Sequence, residues 1–397
     1  MAAIYKSFAD TFWTESFWLP NNHTWKSLEN KDNGIYYPQF HDLYVPFIVA
    51  AVLLLIRKIF ENVVAYPLGK WYNLREKGYR PPPPDTVLEA AYRQIGKHPS
   101  HKDLQALSKR TDKGIRTIER WFRYRRLQGK YTPMKRFQET CWRFLFYFTA
   151  FYYGIYILWD KPWLWDTKEC WYGHPFQHIT SDVYWYYMVE MGFYWALVFS
   201  LMTDIKRKDF WEMVIHHVVT IGLMVFSWAG NMVRVGTLVL CCHDAVDYFM
   251  ELAKVFNYLK YQKTCDALFV VFTVMWFITR LCIFPFKLIY TVGIESPMII
   301  GMYNAMYLYV FLLMALQVLH VIWFYMICRM VYFYVITGKV QKDDRSSSEG
   351  EQSEEEENDN YYDETNKQNG VQSLQNGSTT KRDITMGLSG DSAPASS

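Results

Sequence analysis

Residues 210–229 read FWEMVIHHVVTIGLMVFSWA, and after Gly230 and Asn231 residues 232–252 read MVRVGTLVLCCHDAVDYFMEL. Each run has the roughly 20 mainly apolar residues that cross a bilayer core as helix. Each also carries ionisable groups in its interior: His216 and His217 in the first, His243, Asp244 and Asp247 in the second. Such groups cost about 2.5 to 3.5 kcal/mol each at the centre of a spanning helix, so they need partners or a task. Similar apolar windows occupy residues 43–64, 141–159, 183–202, 267–290 and 305–334. The expected fold class is therefore all-α, a polytopic membrane helical bundle of about seven spans. The composition agrees, because 51% hydrophobic and 19% aromatic residues against 20% charged exclude an ordinary soluble domain.

The connections set the expected orientation. Arg57 and Lys58 end the first window, Lys206, Arg207 and Lys208 join the third and fourth, and Lys260 and Lys263 join the fifth and sixth, all on one side. The opposite connections hold little Lys or Arg, so the basic side is expected to be cytosolic, with the N-terminus lumenal and the C-terminus cytosolic. Long basic side chains such as Arg57 are expected to snorkel to the headgroups. The sequon Asn22-His23-Thr24 then lies in the lumen and Asn22 is a candidate glycosylation site, whereas Asn376-Gly377-Ser378 is not. Seven cysteines, most in apolar runs and none in a C-x-x-C spacing, argue against a disulfide framework or a structural zinc. Residues 1–20 lack the apolar core of a cleavable signal peptide.

Two regions stand apart. After Pro81 to Pro84, residues 85–136 hold 14 Lys plus Arg against 5 Asp plus Glu, as expected of a small basic helical unit on a proline hinge. Its end, residues 117–126, reads TIERWFRYRR and resembles the recognition helix of a homeodomain, over about 45 residues. Tyr124 stands where homeodomains place the Asn that pairs with adenine, which argues against sequence-specific DNA as a partner. A contact to DNA or anionic lipid and a folded basic spacer both stay open. From Asp343 onward, 13 acidic against 4 basic residues give an apolar-poor tail that is expected to be disordered. There Ser346, Ser348 and Ser353 each have Glu three residues on, a pattern for phosphorylation by acidophilic kinases.

The intramembrane cluster carries the chemistry. At about 1.5 Å per residue, His216 and Asp247 sit at comparable depth in antiparallel spans. His243 and Asp247, four residues apart, share a face. A neutral imidazole near a carboxylate suits nucleophilic or general-base work, hence acyl transfer. Polar groups that only join helices are the plain alternative. A three-ligand zinc site, as in a zinc-dependent membrane amide hydrolase of lipids, also stays open, as does a non-enzymatic membrane-tethered nucleic-acid-binding regulator. Proton-coupled transport would use the same residue types, but no inverted repeat is evident.

The run Asp204-Ile205-Lys206-Arg207-Lys208-Asp209-Phe210, then His216-His217, Arg234-Val235-Gly236-Thr237-Leu238 and His243-Asp244-Ala245-Val246-Asp247, resembles the signature of the ceramide synthase family. The likeness extends over about residues 12–357, from Phe17-Trp18-Leu19-Pro20 through the shortened homeodomain-like insert to Asp343-Asp344-Arg345-Ser346. It implies a lumenal segment (residues 1–42), a first transmembrane helix (43–66), the homeodomain-like unit (81–132), a six-helix TLC catalytic domain (136–338) and an acidic cytosolic tail (339–397). It further implies a sphingosine N-acyltransferase of the endoplasmic reticulum membrane that transfers a fatty acyl group from acyl-CoA to a sphingoid base. Acyl-CoA is then co-substrate and no other cofactor or metal is implied; membrane lipids, and this chain or related synthases as dimer partners, complete the set. His216, His217, His243, Asp244 and Asp247 match the family's catalytic positions, with an acyl-histidine expected on His216. Ala245 and Val246 depart from the small hydroxyl residues frequent there. The basic run Lys206, Arg207 and Lys208 is placed to meet the CoA phosphates.

Overall fold

The computed structural model describes residues 12–20, 22–31, 34–76, 78, 81–128, 131–201 and 209–337, which fall into two compact units. The first holds seven long helices among the described residues. They are α1 (Val45–Phe60, running on through Glu61–Ala65 to Tyr66–Trp71), α5 (Pro133–Leu158), α6 (Ser181–Ser200), α7 (Phe210–Ala229), α8 (Val233–Tyr258), α9 (Gln262–Trp276, running on through Phe277–Ile289) and α10 (Asn304–Thr337). The second holds α2 (Thr86–Ile95), α3 (His101–Thr111) and α4 (Ile115–Leu127). By length and composition four helical stretches among the described residues suffice to cross a membrane: Phe40–Trp71, Phe210–Ala229, Gln262–Ile300 and Asn304–Ile336. Helices α5, α6 and α8 are long enough but carry the polar groups that the bundle encloses.

Local chemistry fixes the helix ends. Thr132 accepts from the Lys135 amide and Pro133 opens α5, where its missing N–H is not needed. Between α7 and α8 the chain reverses at Gly230 and Asn231; Asn231 takes a left-handed conformation (φ 51°), and its Nδ2 donates to the carbonyls of Pro175 (2.6 Å) and Gln177 (3.0 Å). So short a reversal makes α7 and α8 antiparallel neighbours. Central α8 packs against α5, α7, α9 and, more lightly, α6, while α10 lies against α7 and α9. Within Phe277–Ile289 of α9 the backbone bonds reach five residues back and Pro285 removes one donor, so this part is a wide helix whose side chains leave the 3.6-residue register.

Arg57 joins a buried ion-pair cluster. Its Nε lies 2.8 Å from Glu61, and Lys135 of α5 lies 3.2 Å from Glu61 and 3.5 Å from Glu139. The two buried carboxylates draw the guanidinium inward and join α1 to α5. At the other end of the bundle, the α5–α6 connection seats His174 against Tyr303, with 3.2 Å between Nε2 and Oη. Burial pushes the His174 imidazole down to about 3. A base held neutral in the folded state contributes stability that is full above the unfolded value near 6.5 and is lost as pH falls towards 3. Lowering pH from 6.5 to 5 is expected to cost about 2 kcal/mol through this residue. Melting curves of wild type and His174→Gln should show a shallower pH dependence in the variant; equal slopes would remove His174 as the cause.

The homeodomain-like unit closes on Leu88, Leu104, Leu107, Ile118, Trp121 and Phe122. Asp85 caps α2 by accepting from the Val87 and Leu88 amides, and pairs with Lys113, which holds its carboxyl below the usual range. Trp121 Nε1 donates to the Pro83 carbonyl (2.6 Å), fastening the proline run to α4. The arginine pair at the end of α4 is turned inward: Arg125 makes a two-point contact with Glu89 (2.9 and 3.0 Å), and Arg126 donates to the Lys97 carbonyl (3.1 Å).

Candidate functional site

His216 lies 13 residues before the end of α7 and Asp247 14 residues after the start of α8, about 20 Å in either case from the α7–α8 reversal. The helices therefore carry them to one level, beside two neighbouring cavities. An outer chamber is lined by His216, His217, Asp247, Arg280, Tyr194 and Trp323, and also by Arg143 and Glu251. An inner chamber runs from His243 towards the reversal, between Thr220, Leu223, Met224 and Ser227 of α7, Met232 and Val239 at the α8 side, and Tyr309 and Leu313 of α10. Tyr194 borders both. The outer chamber is the polar one; the inner is almost wholly aliphatic and aromatic.

In the outer chamber, Trp323 stands edge-on to His216 with 5.4 Å between ring centroids, and the His216 and His217 rings are 5.6 Å apart. Nδ1 of each ring is sealed from solvent and has no hydrogen-bond partner among the described residues. The Nε2 edge is thus the one that can meet a substrate.

The geometry around His243 depends on residues that no local motif announces. His243 Nδ1 lies 2.7 Å from the Val239 carbonyl, and its Nε2 lies 3.2 Å from Nε2 of the fully buried His320. Arg280, on the wide part of α9, reaches His320 Nε2 through Nη1 (3.1 Å), and through Nη2 both the His243 carbonyl (2.8 Å) and Asp247 (3.3 Å). Its guanidinium also lies over Trp276, 5.0 Å from the ring centroid. Arg280 and His320 were open to one sequence argument, that an ionisable residue inside a span needs a partner.

Asp244 takes a different direction. Rotated about 100° from His243, it lines neither chamber and meets Glu190 of α6, carboxyl to carboxyl. Neither acid has another partner among the described residues, and only a protonated carboxyl can donate to its neighbour. This contact joins α6 to α8. Among the described residues no three His, Cys, Asp or Glu side chains converge as metal ligands. Asn22 is exposed, and Thr24 of its sequon caps the following turn by accepting from the Ser27 amide (3.3 Å). Lys206, Arg207 and Lys208, and Ser346, Ser348 and Ser353, lie outside the described residues.

Residues 136–329 match the TLC domain family of TRAM, LAG1 and CLN8. Over 342 residues the chain is 46% identical to human ceramide synthase 5, covering 86% of this chain and 87% of that protein. The chain belongs to the ceramide synthase family. It is likewise 42% identical to human ceramide synthase 3 over 351 residues, 87% of this chain and 90% of the relative. With human ceramide synthase 4 the identity is 41% over 343 residues, 86% of this chain and 87% of the relative. The match to the TLC domain takes in α7 to α9 and most of α10, hence both chambers, and membership makes the apolar bundle that of a membrane protein.

Proposed function

We propose that the protein is a sphingoid base N-acyltransferase that moves a fatty acyl group from acyl-CoA to the amine of sphinganine or sphingosine, through an acyl-histidine on His216. The observation that carries this reading is the pair of neighbouring chambers that share Tyr194 as a wall. A thioester donor has a bulky polyanionic head and a long apolar tail, and here a polar chamber bearing a His pair neighbours an almost wholly apolar one. His216 Nε2 attacks the thioester carbon, the C–S bond breaks, and CoA leaves as thiolate to be protonated in the cytosol. The amine then attacks the acyl carbon, the bond to the ring breaks, and the amide departs. His217 supplies the second imidazole of the outer chamber. Asp247 acts through Arg280, and Asp244 through the placement of α8.

In this reading the outer chamber faces the cytosol, where Lys206, Arg207, Lys208 and Arg143 meet the CoA phosphates. The α7–α8 reversal and residues 1–42 face the lumen of the endoplasmic reticulum, residues 81–132 form a cytosolic unit, and the tail from residue 339 is cytosolic with Ser346, Ser348 and Ser353 open to kinases. Phosphate mapping on protein from cells would show whether those serines are used. Asn22→Gln is expected to remove a glycosidase-sensitive increment in mass from the membrane-inserted protein. An unchanged mass in both forms would overturn the lumenal placement. Partner synthase chains are to be sought by co-purification of differently tagged copies.

Chain length is expected to be limited at the far end of the inner chamber. Met232→Trp fills the space beside Ser227 and Tyr309 and should lower kcat/KM for the longest acyl-CoAs, relative to the shortest accepted, by about tenfold or more. Purified protein assayed with a series of acyl-CoAs and sphinganine tests both the activity and this limit. Consumption of no acyl-CoA would sink the first; an unchanged length profile would sink the second.

A further inference from the structure

His320 has both a position and a proton requirement that packing alone does not explain. A carbonyl oxygen only accepts, so the 2.7 Å contact with Val239 places a hydrogen on His243 Nδ1 and leaves the Nε2 lone pair free in the neutral ring. An arginine only donates, so the 3.1 Å contact with Arg280 requires a lone pair on His320 Nε2. The His243 Nε2 lone pair then faces, across 3.2 Å, a ring nitrogen that carries no hydrogen and whose own lone pair is taken by Arg280. The line between the rings is one proton short of a hydrogen bond. If His320 Nε2 instead holds the hydrogen, the Arg280 contact loses its acceptor. His320 Nδ1 has no partner among the described residues in either case.

We propose that His243 and His320 form a paired-imidazole proton acceptor for the second half-reaction, with His320 as the residue that positions and completes it. The proposal rests on the acyl-histidine reading above. When the amine R–NH2 attacks the acyl group carried by His216 as an N-acylimidazolium, the C–N bond to the amine forms and the bond to the ring breaks. Its electron pair returns to His216. The nitrogen then has one hydrogen too many for an amide, and that proton passes to His243 Nε2, whose new N–H shares the His320 Nε2 lone pair with Arg280 Nη1. It returns to the cytosol when product leaves, balancing the proton that the CoA thiolate took up. The groups facing the pair from each neighbouring helix are His216 of α7, Asp247 of α8 and Arg280 of α9. The Arg280–Asp247 pair is neutral overall, so it fixes the rings without fixing the proton.

His320→Gln keeps one acceptor for Arg280 and one donor for His243, yet cannot share a proton. With purified full-length protein, the half-reactions separate as CoA release from acyl-CoA alone and loss of the acyl adduct on adding sphinganine. His320→Gln and His320→Asn should each slow the second step by about 100-fold, the scale of general-base assistance, and slow the first far less. Hydroxylamine, uncharged and strongly nucleophilic at neutral pH, should remove the adduct at similar rates from wild type and variants. Wild-type rates with sphinganine in both variants, or equal slowing of both half-reactions and of the hydroxylamine step, would overturn the role of His320 alone. A wild-type protein that turns over without any acyl adduct would overturn the acyl-histidine reading as well.

Discussion

His216→Ala is expected to abolish amide formation, with turnover down by about 10³-fold or more and no CoA released from acyl-CoA alone. The magnitude follows from position. His216 is the ring of the polar chamber flanked by Trp323, and among the described chamber-lining residues no other imidazole has that packing. Removing it leaves the thioester bound with nothing to attack its carbonyl. Stability should change little, since the His216 Nδ1 has no hydrogen-bond partner to lose among the described residues. His217→Ala, one helical position on and further from Trp323 in angle, should keep measurable CoA release. Rapid-quench measurement of CoA separates the two variants, and comparable losses in both would remove the distinction drawn between them.

Arg280→Leu should have the next largest effect, and on stability as well as activity. The guanidinium touches His320, the His243 carbonyl and Asp247, and it is 2% exposed. Breaking a buried charge pair from one side typically costs about 3 to 5 kcal/mol, because the remaining charge is left uncompensated. Arg280→Lys retains charge but not the fork that serves three acceptors at once, and should recover part of the stability with little of the activity. Thermal unfolding in detergent, read beside turnover, tests this. An Arg280→Leu protein that melts with wild type would mean that the cluster contributes nothing to the fold.

Much of this arrangement was legible in the sequence, for identifiable reasons. Apolar length marked the helices, the two-residue connection at Gly230 and Asn231 made α7 and α8 antiparallel, and counting from it brought His216 and Asp247 to one depth. The four-residue spacing of His243 and Asp247 placed both towards α9, although Arg280 rather than a direct carboxylate–imidazole contact links them. Arg280 and His320 were not legible as site residues. Each is a single ionisable residue in a long apolar run, and the wide backbone of Phe277–Ile289 displaces its side chains from the register on which periodicity arguments depend. Glu190 escaped notice likewise, since nothing local indicates that Asp244 turns towards α6. Of the two carboxylates beside Arg57, Glu61 is four residues on and within reach of sequence spacing, whereas Glu139 comes from a helix far along the chain.

Incubating the full-length protein with acyl-CoA and no sphingoid base, then mapping the protein by mass spectrometry, tests the central claim most directly. The account predicts one acyl increment, confined to the peptide carrying His216, absent from His216→Ala and discharged when sphinganine is added. An increment on another residue, or steady amide production with no acylated peptide at any time, would contradict it.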